Sequence, residues 1–277
     1  MSDTLPTLYG GVTRRRVTTR DLQLAKERGE RWAMLTSYDM LSAQVFEAAG
    51  IPVLLVGDSA GNNVLGYADT IPVTVEDLLP MVRAVGRSTA RPLVVADLPF
   101  GSYQESTAQA VGTAVRFLQA GAQAVKLEGG ATVVGQVRQL VDAGIPVMGH
   151  LGLTPQSVNV LGGYRVQGRG ADGDRLVADA LALQEAGAFS VVLEVVPVDL
   201  AERVTKELLI PTIGIGAGPG CDAQVLVWTD MAGFTDGPGP KFVKRYADLR
   251  AVLTGAARAY ADDVREGRYP AEEHGYS

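Results

Sequence analysis

Short apolar runs recur along the chain at the spacing of an alternating α/β protein. Four stretches share one plan: 48–59, 119–130, 142–152 and 185–196. In each, Ala-Gly ends a helix and is followed by a short linker and then by a strand rich in Val, Ile or Leu that ends at a polar residue. Glycine suits the end of a helix because it reaches the left-handed conformation without steric cost. With four related runs, the pattern predicts eight strands, beginning near residues 32, 52, 92, 123, 146, 190, 211 and 224.

Helical patterns separate most of these strands. Between residues 74 and 88 the apolar positions fall on one face at helical spacing. At its start, Thr74 followed by Asp77 resembles a capping box. Two further helices lie outside the repeat, and we expect a short one over 20–29 and a longer one over 244–266.

Eight strand–helix units favour a (β/α)8 TIM barrel with an extra N-terminal helix and an extended C-terminal helix. We expect one domain over 1–277, with a polar tail at 1–17, because no linker interrupts the pattern. A doubly wound open sheet is the alternative, but no G-x-G-x-x-G follows the first strand. The long, weakly periodic stretch 151–174 predicts a functional loop.

Composition narrows the class of protein. The chain is 47% hydrophobic and 20% charged, as expected of a soluble globular enzyme, and its net charge of −6 disfavours nucleic acid. The basic run 14–16 reads as part of a solvated tail rather than a nucleic-acid or membrane patch. Cys221, the single cysteine, fits a reducing compartment. No signal peptide or membrane span is indicated, so we expect a cytoplasmic location without membrane partners.

The predicted strands end at chemically active side chains. In a barrel all these ends meet at one mouth, where active sites lie. The residues delivered there are Asp39, Asp58, Ser59, Asp97, Lys126, Glu128, His150 and Glu194. Five carboxylates around one cavity repel each other, so Lys126 and a divalent cation are expected to balance them. Oxygen ligands indicate Mg²⁺ before Mn²⁺ and disfavour zinc.

Each of these residues also has a purely structural interpretation. Asp58 and Asp97 could cap the helices that follow their strands. Lys126 could form a private ion pair with Glu128, since residues i and i+2 of a strand point the same way. His150 could be a hydrogen-bonded histidine with no chemical role.

Ten stretches in order, from about residue 17 to 274, carry a resemblance to a known family. They are MLTSYD, LLVGDSAGNNVLGY, TIPVTVEDLL, VVADLPFGSY, AVKLEGG, PVMGHLGLTPQSVNVLGGYRVQGR, LEVVP, IGIGAG, PKFVKRY and YPAEEH. These stretches resemble the ketopantoate hydroxymethyltransferases, enzymes of pantothenate and coenzyme A biosynthesis. The wider relatives would be barrels of the phosphoenolpyruvate mutase and isocitrate lyase type.

The resemblance implies roles for individual residues. Asp58, Asp97 and Glu128 match metal-binding acids, with Glu128 acting either directly or through a water. Asp58 and Asp97 with Ser59 and Lys126 match substrate-binding positions, and Glu194 matches the proposed base. His150 is a further site residue. Tyr164 is a stacking candidate in the 151–174 loop, which would serve as a lid or folate-side wall.

The resemblance also implies an activity. Hydroxymethyl transfer from 5,10-methylenetetrahydrofolate to 3-methyl-2-oxobutanoate would give 2-dehydropantoate through an enolate stabilised by one Mg²⁺ per subunit. The assembly implied is a homodecamer, a pentamer of dimers that exchange C-terminal helices. Two alternatives stay open: a folate-independent, Mg²⁺-dependent lyase or aldolase acting on another α-oxo acid, and a non-catalytic protein that binds oxo acids.

Overall fold

The fold is described from a computed structural model of the chain, which describes residues 7–8 and 15–276. These residues fall into two compact units divided between Val227 and Trp228. The single-domain expectation for 1–277 stays a prediction. Most of the predicted tail, including Arg14, lies outside the described residues.

Eight parallel strands form a closed barrel in sequence order, with β8 paired to β1. They are β1 (Trp32–Thr36), β2 (Val53–Val56), β3 (Leu93–Asp97), β4 (Ala124–Lys126), β5 (Val147–Gly152), β6 (Ser190–Glu194), β7 (Thr212–Ile215) and β8 (Ala223–Leu226). The predicted (β/α)8 barrel is confirmed, and the open-sheet alternative is wrong. Every predicted strand is present within one residue of its expected start.

Helices lie before, between and after the strands. They are α1 (Thr19–Glu27), α2 (Met40–Ala48), α3 (Val75–Ser88), α4 (Thr107–Ala120), α5 (Val134–Asp142), α6 (Val158–Leu161), α7 (Asp172–Glu185), α8 (Val198–Glu207), α9 (Trp228–Met231) and α10 (Leu249–Arg265). The Thr74–Asp77 capping box predicted for α3 is present. Within the described residues, no helix combines the length and the apolar composition that crossing a membrane requires.

Helix α1 packs beneath the N-terminal end of the barrel. Its Leu22 and Ala25 are fully buried in one cluster with Trp32, Val53 and Leu93, which lie at or near the starts of their strands. This apolar packing closes the N-terminal end of the barrel. A functional site is therefore expected at the other end, where the strands' C-terminal ends lie.

The basic run behaves differently from a solvated tail. Arg15 donates two hydrogen bonds to the Asp21 carboxylate, each 2.7 Å long. Arg16 donates to the carbonyl oxygens of Thr89 and Pro92 at 2.6 Å. Arg15 therefore binds the segment before α1 to that helix, and Arg16 binds it to the segment before β3. The sequence interpretation missed these contacts because neither follows from a regular spacing along the chain.

Two predicted boundaries are wrong. The C-terminal helix begins at Leu249 rather than 244, because Asp248 caps it and leaves Tyr246 outside the helix. The 151–174 loop is shorter than expected, because β5 continues to Gly152 and α7 begins at Asp172. Between them lie a 3₁₀ turn at Pro155–Ser157 and the single turn of α6.

We predict that Asp21→Asn lowers stability at neutral pH by about 1–2 kcal/mol, with the exposed part of the Arg15 pair discounted for solvent screening. The Arg15 hydrogen bonds and the Thr18 contacts outweigh burial and lower the pKa of Asp21 to about 2, from an ordinary value of 3.8. A lowered carboxyl pKa stabilises the fold above the unfolded value and loses that effect as pH falls from about 4 towards 2. Denaturant unfolding at several pH values measures this.

The matched control is Asp77→Asn, which removes the equivalent carboxylate of the α3 capping box. We expect Asp77→Asn to lower the free energy of unfolding by about 1 kcal/mol or less, as is typical of a helix cap. Equal losses for the two variants at pH 7 would contradict a special contribution from the Arg15–Asp21 pair.

Candidate active site

The C-terminal ends of the strands surround a cavity of about 110 Å³. One part of its wall is polar and comprises Asp58, Ser59, Asp97, Lys126, Glu128, His150 and Glu194. The other part includes Met34, Leu55, Val192, Ile215, Val225 and Val227. The structure thus brings seven of the eight predicted site residues together around one small cavity, whose lining combines charged and apolar side chains.

Asp58 and Asp97 lie against each other at the ends of β2 and β3. The backbone N–H of Asp58 donates to Asp97 Oδ2 at 3.1 Å, and both side chains are buried. Gly57 permits this approach, since a Cβ at that position would lie 3.2 Å from Asp97 Oδ2 and 2.9 Å from Ser59 Oγ. Burial raises the pKa of Asp58 well above its ordinary value, and the charges of Asp97 and Glu128 raise it further.

Helix capping does not account for these two aspartates. The α-helices that follow β2 and β3 begin after Thr74 and Ser106, whose side chains accept the capping hydrogen bonds. Asp39 is different, because its carboxylate accepts from the Ser42 backbone N–H and caps α2. Of the strand-end aspartates, the structural interpretation therefore holds for Asp39 alone.

Lys126 is buried at the centre of the charged wall. Its Nζ lies 2.6 Å from Asp97 Oδ1, 3.2 Å from His150 Nδ1 and 3.8 Å from Glu128 Oε1. Burial lowers the pKa of Lys126, but Asp97, Glu128 and Asp58 outweigh it and raise the pKa above its ordinary value. The lysine is therefore charged, and the alternative of a private pair with Glu128 is wrong, since Asp97 is its closer partner.

Glu128 is surrounded by donors from the protein. Its Oε1 lies 3.1 Å from His150 Nδ1, and its Oε2 accepts from the Gln156 backbone N–H at 3.0 Å. Burial raises the pKa of Glu128, but His150 and Lys126, together with the Gln156 hydrogen bond, lower it overall. Glu128 is thus an ionised carboxylate whose two oxygens already have partners.

His150 bridges two carboxylates. Its Nδ1 faces Glu128, and its Nε2 lies 3.2 Å from Glu194 Oε2. Burial and the charge of Lys126 lower the pKa of His150, but Glu128 and Glu194 outweigh them and raise it to about 9. The ring is therefore a charged link between Glu128 and Glu194, which is more than the hydrogen-bonded structural histidine that the sequence also allowed.

The backbone beside Glu194 is strained. Val195 has a φ of 48°, which is a rare conformation for a β-branched residue. It is held there because its N–H donates to Ile215 O at 2.8 Å and its carbonyl accepts from Gln167 N–H at 3.0 Å. Such strain persists only where the surroundings over-determine it, and it is common at functional sites.

The remaining predicted residues lie at the rim. Ser59 Oγ is 2.9 Å from the hydroxyl of Tyr38, a buried tyrosine that sequence reasoning did not single out. Tyr164 is 61% exposed and lies outside the cavity lining. Partial burial and the negative charges of Asp69 and Glu194 raise the pKa of Tyr164.

Gln156 and Tyr103 are the main omissions of the sequence analysis. The Gln156 amide donates to Asp58 Oδ2 at 2.8 Å and accepts from the Tyr103 hydroxyl at 2.8 Å. Tyr103 is almost fully buried, and its hydroxyl also accepts from the Glu128 N–H. The available signal was a glutamine directly after Leu-Thr-Pro at the mouth end of β5, but its partners are 53 and 98 residues away.

The site's suitability for a metal depends on its donors. Among the described residues, no group of three or more His, Cys, Asp or Glu side chains is placed to hold an ion. Lys126 lies between Asp97 and Glu128, and Glu128 is occupied by protein donors. Asp97 also has a protein partner on each oxygen, but it lies against Asp58, and the two carboxylates are adjacent oxygen donors whose pKa values are raised by burial. That pair fits Mg²⁺, which commonly binds one or two carboxylates and completes its shell with water and substrate.

Solved structures of other proteins share this fold. Phosphonopyruvate hydrolase in complex with oxalate and Mg²⁺ matches with a TM-score of 0.61 at 15% identity, over 94% of this chain and 91% of that one. 2,3-Dimethylmalate lyase, a member of the PEP mutase/isocitrate lyase superfamily, matches with a TM-score of 0.58 at 19% identity, over 93% and 91%. At this level of identity the likeness concerns the barrel alone.

Sequence comparison reaches the level of a family. The family model for ketopantoate hydroxymethyltransferase matches residues 16–272. A 3-methyl-2-oxobutanoate hydroxymethyltransferase from Frankia casuarinae is 64% identical over 99% of this chain and 95% of its own. One from Acidothermus cellulolyticus is 66% identical over 95% and 97%. The chain therefore belongs to the ketopantoate hydroxymethyltransferase family of transferases.

Proposed function

We propose that the protein transfers a hydroxymethyl group from 5,10-methylenetetrahydrofolate to 3-methyl-2-oxobutanoate and releases 2-dehydropantoate and tetrahydrofolate. One observation supports this most strongly. The Glu194 carboxylate, the charged Lys126 and the Asp58–Asp97 pair all line one small cavity that apolar side chains also line. A base, a cation and an oxygen donor pair beside apolar surface are what proton abstraction next to an oxo acid requires.

The cavity accounts for the binding of a branched oxo acid. Its apolar wall, which includes Val192, Ile215 and Val225, offers van der Waals contact to the isopropyl group. Lys126, which also lines the cavity, would attract the carboxylate of the substrate. The substrate is therefore oriented by its two chemically different ends.

Asp58 and Asp97 would hold Mg²⁺. Glu128, whose oxygens are bound by His150 and the Gln156 N–H, would add negative charge near the ion without being a direct ligand. The bound ion would polarise the 2-oxo group and lower the energy of charge that develops on its oxygen. Lys126, 2.6 Å from Asp97, reduces the repulsion between the aspartates.

Glu194 acts as the base. The C3–H bond breaks, the proton passes to a Glu194 carboxylate oxygen, and the electron pair left on C3 forms the new bond to the one-carbon unit. One water is consumed: the two C–N bonds that hold the methylene carbon on the folate break, the two hydrogens of the water go to the nitrogens of tetrahydrofolate, and its oxygen becomes the hydroxymethyl oxygen. That oxygen takes the proton from Glu194, which returns the base to its carboxylate form. His150 Nε2 lies 3.2 Å from Glu194 Oε2, close enough to orient the carboxylate.

We expect the folate to approach from the mouth, because a cavity of about 110 Å³ is too small to hold a pterin beside the oxo acid. The connection between β5 and α7 is the proposed wall for the pterin, with Tyr164 as the stacking residue. A homodecamer with exchanged C-terminal helices, and a cytoplasmic location, are further parts of this proposal and rest on the family resemblance.

We predict that product forms from 3-methyl-2-oxobutanoate only when methylenetetrahydrofolate and Mg²⁺ are both supplied. Chromatographic detection of 2-dehydropantoate, with and without each component, measures this. Turnover of an oxo acid without folate would instead support the lyase or aldolase alternative. Binding of the oxo acid without any exchange of its C3 proton into heavy water would support the non-catalytic alternative.

We predict that Glu194→Gln retains oxo-acid binding but slows C3 proton exchange by at least about 100-fold, because the amide cannot accept the proton. Exchange is followed by NMR in heavy water and binding by calorimetry. Glu202→Gln on α8, which breaks only an exposed pair with Lys206, is the control and should exchange at the wild-type rate. Equal exchange by all three proteins would rule out Glu194 as the base.

We predict that Asp97→Asn weakens Mg²⁺ binding at least about 10-fold, or about 1.4 kcal/mol, because it removes one of two charged oxygen donors. Calorimetric titration of the folded protein with Mg²⁺ measures this. Asp39→Asn is the control, since asparagine also caps helices well. An unchanged affinity in Asp97→Asn would mean that the ion does not depend on this carboxylate.

A further inference from the structure

We propose that Gln156 is a positioning residue that holds the Asp58 carboxylate in its working orientation and ties the β5–α7 connection to the site. The inference deepens the proposed function and rests on it, since the orientation matters because Asp58 is a proposed metal donor. Gln156 lies outside the cavity lining, so it acts through Asp58 and Glu128.

The side-chain amide of Gln156 is buried and uses both of its polar ends. Its Nε2 donates to Asp58 Oδ2 at 2.8 Å and to the carbonyl oxygen of Leu98 at 3.0 Å. Its Oε1 accepts from the Tyr103 hydroxyl at 2.8 Å. Only 4% of the residue is exposed. If the Gln156 side chain were removed, water could not easily replace it as a hydrogen-bond partner of Asp58, Leu98 and Tyr103.

These partners allow only one orientation of the amide. Asp58 Oδ2 and Leu98 O both need donors, and a flipped amide would place Oε1 against these two acceptors. Tyr103 adds a further restraint, because its hydroxyl lies between Gln156 Oε1 and the Glu128 backbone. The Gln156 N–H that faces Asp58 is therefore held in place by Leu98 O and by the Tyr103 hydroxyl, which is itself bound to the Glu128 backbone.

The backbone of Gln156 contacts the second acid of the wall. Its N–H donates to Glu128 Oε2 at 3.0 Å from the 3₁₀ turn Pro155–Ser157. One residue of the β5–α7 connection thus binds an acid that follows β2 and another that follows β4. Movement of this connection would change both carboxylates together, whereas a purely packing residue would touch neither.

The test compares Gln156→Met with Gln167→Met. Methionine keeps the length of glutamine and removes its hydrogen bonds, and Gln167 belongs to the same connection but donates its side-chain N–H to Arg165 O. We expect Mg²⁺ binding by the folded Gln156→Met protein, measured by calorimetry, to weaken about 10-fold, as is typical when a residue that orients a metal ligand is lost. Gln167→Met should bind like wild type.

Kinetics separate positioning from folding. We expect kcat of Gln156→Met to fall about 10-fold at saturating Mg²⁺, while KM for the oxo acid changes less than threefold, because the Lys126 and apolar contacts remain. A variant with lowered Tm but wild-type Mg²⁺ affinity and kcat would overturn the inference and leave Gln156 a packing residue. Failure of wild type itself to bind Mg²⁺ would contradict the proposed metal role of Asp58, and the inference with it.

Tyr103→Phe keeps the question testable if Gln156→Met does not fold. It leaves the glutamine in place but removes the hydroxyl that restrains Oε1. We expect Mg²⁺ affinity to fall about threefold, a smaller loss because the amide still donates to Asp58. Wild-type affinity in Tyr103→Phe would show that the amide needs no restraint and would overturn the inference.

Discussion

The burial of Lys126 among Asp97, Glu128 and His150 is the interaction on which the site depends. Two aspartates and a glutamate could not stay ionised together in this cavity without a positive charge at its centre. The lysine contacts Asp97 at 2.6 Å and is itself stabilised by the acids around it. Removing any one member would leave the others as uncompensated buried charges, so the cluster behaves as a unit.

The barrel supplies what this cluster needs. Parallel strands end at one rim, so residues far apart in sequence meet there, and apolar packing against α1 closes the other end. Around the rim, Gly57 lets Asp97 approach Asp58, and the strained Val195 follows Glu194 in a backbone held from both sides. The connection after β5 adds Gln156, which turns a cluster of charges into an ordered hydrogen-bonded network.

Much of this architecture could be read from local sequence pattern. Eight apolar runs with charged ends predicted the strands, the barrel and the set of residues at its mouth, because strand ends in a barrel converge whatever their sequence separation. Predictions failed where a partner is non-local. Nothing near Arg16 indicates the carbonyls of Thr89 and Pro92. The start of α10 failed for a different, local reason, since it depends on capping by Asp248 rather than on apolar periodicity.

The sequence by itself determined the fold class, the family and which side chains reach the mouth, since periodicity and motif order are properties of the chain. Only the tertiary structure decided which of those side chains pair. Lys126 lies closer to Asp97 on the neighbouring strand than to Glu128 on its own chain segment, and His150 links Glu128 to Glu194. Asp39 became a helix cap while Asp58 and Asp97 became a buried pair. Pairing is set by distances across strands and by burial, and neither is encoded at any single position.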